Sequence, residues 1–299
     1  MSMIFLVACM ALPMNIANLT LANGRTMPSL GLGTYLMDPR RQTYSSVKVA
    51  LQQGYRMIDT AALYENELDV GKAIQDSGIP RKDIFLATKL HPDKEGFDPT
   101  LRAVRSQLKR LHTDYVDLYL IHAPNHKIVE TWDALLAAQK AGLARSVGVS
   151  NFGVKHLEAL KKLRRPMPVV NQIEMHPLVY KSRLKLVQFC KDNGILVQAY
   201  GSLYSGKKKL MQNGVLTKVA KKHGKTTAQV LLRWAIQRGF QVIPKSTRAA
   251  RIAENAEVTD FELSEADLSS VESMKGKLDV YWNPLTTPVG LGRTDRGEL

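Results

Sequence analysis

The chain of 299 residues is 44% hydrophobic and 23% charged, ordinary usage for a globular protein, which excludes a disordered, collagen-like or coiled-coil chain. Such a length admits two domains, but α/β barrels reach it as one. The 42 basic and 27 acidic residues leave a net charge of +15, which favours anionic ligands. The basic groups are nevertheless scattered in short pairs and triplets (Lys161-Lys162, Arg164-Arg165, Lys207-Lys208-Lys209, Lys221-Lys222) without interleaved aromatics, so solvated faces rather than a nucleic-acid surface are expected.

In chain order, the first apolar stretch, Met3 to Leu12, is too short to span a membrane and has no basic residue before it. Neither a membrane partner nor export is expected, and residues 1–14 read as an N-terminal extension. The two cysteines, Cys9 and Cys190, exclude a disulfide framework and a cysteine-rich zinc site. They fit a reducing, cytoplasmic setting, and no metal is expected. Leu19-Thr20-Leu21 and Arg25-Thr26-Met27 flank Asn23-Gly24, a hairpin signal placed at one end of the fold.

Eight strand-like apolar runs follow: 29–34, 56–59, 84–89, 115–121, 146–149, 169–173, 195–199 and 241–243. Helical patterns lie between them at 43–53, 67–77, 99–111, 128–140, 154–163, 182–193 and 226–238. Gly54, Gly78, Gly142, Gly194 and Gly239 stand where helix C-termini would be. Alternating strands and helices predict a parallel sheet. Closure into a (β/α)8 TIM barrel is the simplest architecture, with an open doubly wound sheet as the competitor.

A barrel of this kind carries chemistry at the C-terminal ends of its strands. Those ends here read Asp59, Lys89, His122, Ser150 with Asn151, Gln172, Tyr200 and Lys245, and Tyr64 follows Asp59 in the next loop. Singly, each has a plainer role: Asp59 as a helix cap, Lys89 reaching for water, His122 as a structural histidine, Tyr64 in packing. Together they suit the reduction of a carbonyl group to an alcohol. The carbonyl oxygen needs a proton donor, and a tyrosine hydroxyl becomes one when a lysine ammonium lowers its pKa. Asp59 would hold Lys89 charged and oriented, and His122 would hydrogen-bond the carbonyl oxygen. No side chain supplies the electron pair, so a hydride-donating cofactor is required.

The run Gly54-Tyr55-Arg56-Met57-Ile58-Asp59-Thr60-Ala61-Ala62-Leu63-Tyr64-Glu65-Asn66-Glu67, with Val70-Gly71 after it, resembles the signature of the aldo-keto reductases. So do Leu118-Tyr119-Leu120-Ile121-His122, Gly148-Val149-Ser150-Asn151-Phe152, Asn171-Gln172-Ile173-Glu174-Met175-His176-Pro177 and Ile243-Pro244-Lys245-Ser246 with Arg251-Ile252-Ala253-Glu254-Asn255. These motifs occur in order from about residue 19 to residue 268. The character is closest to small microbial and protozoan members, some of them described as prostaglandin F synthases.

The resemblance implies one (β/α)8 barrel over residues 15–299, with the hairpin at its bottom and a C-terminal substrate-pocket loop from about residue 276. It implies NADPH-dependent reduction of small aldehydes and ketones, a catalytic tetrad of Asp59, Tyr64, Lys89 and His122, and the monomeric state usual in the family. Ser150, Asn151 and Gln172 would hold the nicotinamide carboxamide, and Tyr200 would stack on its ring. Gly201, Ser202, Leu203 and Ser205 would cover the pyrophosphate, with Thr34 and Asp59 also at the cofactor. Lys245, Ser246, Thr247 and Arg251 would clamp the 2′-phosphate, and Glu254 and Asn255 the adenine. A Lys point charge and a forked Arg donor set suit a phosphate, which favours NADPH over NADH. Tyr35, Tyr64, His91, His122, Ala123, Tyr281 and Trp282 would line the substrate pocket. Tyr35, His91 and Ala123 stand where tryptophan is common, which implies a roomier, more polar pocket. Gly201-Ser202-Leu203-Tyr204 replaces a usual Ser-Pro-Leu-Gly, a departure that bears on loop closure. Two alternatives stay open: prostaglandin-type reduction as the main role, and a non-catalytic NADPH-binding subunit on the same barrel.

The stretch Gly201 to Lys208 also approaches a phosphate loop, but Lys208 stands where that motif needs a Ser or Thr for magnesium. Gly31 and Gly33 lack the third glycine of a dinucleotide fingerprint, the position being Leu36.

Overall fold

The computed structural model describes residues 16–124, 126–276 and 283 of the chain. The extension 1–14, Cys9, Tyr281, Trp282 and nearly all of the C-terminal loop lie outside the described residues. A hairpin of β1 (Asn18–Thr20) and β2 (Thr26–Pro28) comes first. Eight parallel strands follow: β3 (Leu32–Gly33), β4 (Met57–Asp59), β5 (Phe85–Lys89), β6 (Leu118–Ile121), β7 (Val147–Ser150), β8 (Val170–Glu174), β9 (Leu196–Tyr200) and β10 (Gln241–Val242). They pair in sequence order.

The sheet closes where β10 meets the approach to β3. Gly31 N donates to Val242 O at 2.8 Å, Gly33 N to Pro244 O at 3.1 Å, and Val242 N to Ser29 O at 3.0 Å. The fold is therefore a (β/α)8 barrel and not an open sheet. Glycine is required at the seam: a Cβ on Gly33 would stand 2.6 Å from the Ile243 carbonyl oxygen.

Strand alternation sorts the side chains into two sets. Ile58, Leu86, Tyr119, Val149, Ile173 and Val197 face outward into the larger apolar core, beneath the helices. Met57, Ala87, Leu120, Val170 and Ile243 belong to a smaller cluster that fills the barrel. Leu21 and Met27 of the hairpin join that inner cluster beside Met57, Phe85 and Leu118 at the strand starts, so the hairpin plugs the bottom.

The helices are α1 (Thr43–Gln52), α2 (Glu67–Gln75), α3 (Phe97–Arg110), α4 (Ile128–Lys140), α5 (Val154–Lys162), α6 (Pro177–Asp192), α7 (Lys208–Met211), α8 (Gly214–Lys222), α9 (Thr227–Gln237), α10 (Ala249–Ala256) and α11 (Glu265–Glu272). All five glycines expected at helix ends take positive φ, from 67° to 94°. Helix α6 starts at Pro177, not at residue 182, because proline at the first position presets the helical φ. Helices α7, α8, α10 and α11 were not among the helical patterns; they are short, at four to nine residues, and bury only two or three apolar side chains or none. Cys190 is buried in α6, and burial pushes its thiol up to about 12, consistent with a core role.

Candidate active site

Five of the polar residues at the strand ends share the inward parity of the apolar filling below them. Asp59 lies two residues after Met57, Lys89 two after Ala87, His122 two after Leu120, Gln172 two after Val170, and Lys245 two after Ile243. The period of two thus delivers a polar ring onto an apolar plug. Above it opens a cavity of about 830 Å³.

Lys89 and Asp59 form a fully buried ion pair, Nζ to Oδ1 at 2.5 Å. Lys89 Nζ also donates to Thr60 O at 2.9 Å and to the Tyr64 hydroxyl at 3.3 Å. These are three acceptors around a group that has three N–H bonds only when charged. Burial pushes the Asp59 carboxyl pKa up, against the opposing Lys89 charge, and pulls the Lys89 ammonium down, against the opposing Asp59 charge. The matched set of three acceptors favours the ammonium-carboxylate form. Tyr64 sits on a short turn, Ala62–Tyr64, directly after β4, which brings it back over the ring. Its ring lies 5.0 Å from Tyr35 and 5.8 Å, edge-on, from His122.

Asp59 is held from several sides. Gln172 Nε2 donates to its Oδ2 at 2.8 Å, and the Thr34 hydroxyl donates to its backbone carbonyl at 3.0 Å. Asn66, buried, accepts from Thr60 and donates to Thr34 O, locking the turn between β4 and α2. Behind Lys89, the buried Glu67 accepts from Thr88, Gln107 and Arg110, and Gln107 also donates to Lys89 O at 3.1 Å.

On the opposite wall, Asn151 takes φ 61° and donates to His122 O at 3.0 Å and to Ser150 Oγ at 3.1 Å. The Tyr200 hydroxyl donates to Asn151 Oδ1 at 2.7 Å. The cavity continues past Tyr200 along Gly201, Ser202, Leu203 and Ser205 to Lys245, Ser246, Thr247, Arg251, Glu254 and Asn255. At that end the cations of Lys245 and Arg251 have no ion-pair partner among the described residues, whereas Glu254 accepts from Thr226 at 2.7 Å. Burial without a counter-charge pulls the Lys245 ammonium below its ordinary pKa.

Nearly all the expected site residues meet in this one cavity. Lys89 does not line it, being sealed behind Tyr64 and Asp59. Thr34 is fully buried beneath Asp59 and does not face the space. His91 is turned to the next loop, where its Nδ1 accepts from Asp93 N at 3.2 Å, and Ala123 stays off the lining. The wall also holds Leu36, Leu63, Met211, Gln212 and Arg248, which strand-end reasoning could not find because they come from loops and from α7.

The aldo/keto reductase family profile matches residues 29–275. A glyoxal reductase of Bacillus subtilis (strain 168) is 44% identical over 265 residues, 88% of this chain and 95% of the relative. A 9,11-endoperoxide prostaglandin H2 reductase of Trypanosoma cruzi (strain CL Brener) is 42% identical over 257 residues, 85% of this chain and 90% of the relative. Among solved structures, a Bombyx mori aldo-keto reductase in complex with NADP has a TM-score of 0.79 and 35% identity, over 86% of this chain and 92% of that one.

Proposed function

The chain belongs to the aldo/keto reductase family, a family of nicotinamide-dependent oxidoreductases, and from that premise we propose that it reduces aldehydes and ketones with NADPH, Tyr64 serving as the general acid. The observation that carries this reading is the arrangement Asp59–Lys89–Tyr64, with the ammonium 3.3 Å from the phenol oxygen at the floor of the cavity.

The donor set fits the cofactor. The cavity runs from Tyr64 to a pair of cations without carboxylate partners among the described residues, Lys245 and Arg251, the charge a 2′-phosphate would complement. Gln172, Asn151 and Ser150 would hold the carboxamide, Tyr200 would flank the ring, and Gly201 to Ser205 would cover the pyrophosphate. When bound, NADPH supplies a hydride to the carbonyl carbon.

The protein's own part follows from its geometry. Lys89 donates to the Tyr64 oxygen, so the phenolic hydrogen is left for another acceptor, in this reading the substrate oxygen. Once that proton has moved, the Lys89 ammonium stabilises the phenolate left behind. Asp59 keeps the ammonium in place, with its second oxygen held by Gln172. His122 stands across from Tyr64 and would offer an N–H to the same substrate oxygen, fixing its angle. Tyr35 forms the outer wall beside Tyr64.

The test is NADPH oxidation by the purified protein over a panel of a dicarbonyl, simple aldehydes, ketones and a prostaglandin endoperoxide. The two relatives are named for the first and last of these classes. Turnover of at least one carbonyl class is expected. NADPH binding with no turnover of any would leave the non-catalytic subunit reading in its place.

A further inference from the structure

We infer that Gln198, a fully buried amide inside the barrel, is a positioning residue that fixes the polarity of Gln172 and thereby presents a carbonyl oxygen, not an N–H, to the ligand cavity. The inference rests on the cofactor reading above.

Gln172 and Gln198 are register partners on β8 and β9. Gln172 Nε2 donates to Gln198 Oε1 at 2.5 Å and to Asp59 Oδ2 at 2.8 Å. An amide nitrogen has two hydrogens, and both are spent inside the barrel. The group that Gln172 has left for the cavity it lines is its carbonyl oxygen, an acceptor. The natural complement is an N–H donor, such as the amino group of a primary carboxamide.

Asp59 and Gln198 hold this polarity jointly. Turned over alone, Gln172 would face Gln198 Oε1 oxygen to oxygen, and Gln198 turned over alone would face it nitrogen to nitrogen. Turning both together would restore that bond but set the Gln172 carbonyl against the Asp59 carboxylate.

The position comes at a cost to the fold. Gln198 Nε2 is buried with no hydrogen-bond partner among the described residues. A methionine would fill the same volume without that cost. An amide retained where an apolar side chain would pack is accounted for by the acceptor it aims at Gln172.

The test uses two cofactors that differ only in the donor: NADPH and its 3-acetylpyridine analogue, whose acetyl group keeps a carbonyl and lacks the N–H. Dissociation constants come from quenching of protein fluorescence, with no turnover needed. The wild-type protein is expected to prefer NADPH by about tenfold, the scale of one hydrogen bond. Gln198→Met should fold with an unchanged or higher Tm and lose most of that preference. Gln198→Glu, whose oxygen still accepts, should keep it. A Gln198→Met protein with the wild-type preference, or a Gln198→Glu protein that loses it equally, overturns the inference. A wild-type protein that binds neither cofactor instead overturns the reading of the cavity on which it rests.

Discussion

Lys89 is the residue on which the site turns, and its surroundings are costly. An ion pair with no exposure loses hydration on both sides, and mutual attraction in a low-dielectric interior only partly offsets this. Removing one partner leaves the other charge buried and alone. Lys89→Met and Asp59→Asn should therefore each destabilise the fold, by about 3–5 kcal/mol for an uncompensated charge. The double variant should recover most of that loss, or exceed wild-type stability, while remaining inactive. Denaturant unfolding of the four proteins checks this, and a double variant no more stable than the worse single would show that the pair is structural in origin. At this scale the tetrad was legible because charged residues at strand ends contradict the apolar pattern of a barrel. Glu67 and Gln198 were not, because a polar residue inside an amphipathic or alternating run gives no sign of which partner will satisfy it.

The strands were the elements most plainly written in the sequence: each β-branched or leucine-rich run became a strand within a few residues. In the last third α9 was read, but α8, α10 and α11 were not, since at eight or nine residues each they are too short for a period to stand out. The starts of α8 and α11 are set by side-chain caps, Asn213 accepting from Val215 N and Ser264 from Asp267 N. At α11, Ser264 Oγ accepts from Asp267 N at 3.2 Å, and Asp267 accepts in return from Ser264, Lys222 and His223. Burial acts to raise the Asp267 pKa, but these donors together outweigh it and hold the carboxyl well below the usual carboxylate range. A carboxyl held lower in the folded than in the unfolded chain contributes stability above its unfolded pKa, near 4, and loses it as the pH falls further. The Tm gap between wild type and Asp267→Asn should accordingly be wide at about pH 7 and narrow on acidification below about pH 4. A gap that stayed constant would place the effect in packing.

At the scale of the whole molecule, one cavity joins two ends: the Tyr64 phenol over the barrel and the cations of Lys245 and Arg251. Lys245→Ala and Arg251→Ala should weaken NADPH binding by roughly tenfold or more and NADH much less, as the loss of a charge-assisted phosphate contact implies. Equal losses for both cofactors would remove the 2′-phosphate from the account. The barrel was legible from strand count, and strand-end chemistry picked out the residues that the structure gathers around one cavity, the candidate site. Closure was expected as the simplest architecture and is found; the seam itself was not legible, because it depends on single hydrogen bonds at Ser29, Gly31 and Gly33, and the wall made by loops around Leu36 and Met211 carries no periodic signal.

The most direct measurement is on Tyr64→Phe, which removes one oxygen and keeps the ring against Tyr35 and His122. NADPH should bind the variant as it binds the wild type, and the single-turnover rate with a reducible aldehyde should fall by about 10²–10⁴-fold, the range of a lost general acid. A variant that binds NADPH and reduces the aldehyde at the wild-type rate would contradict the assignment of Tyr64 as the proton donor.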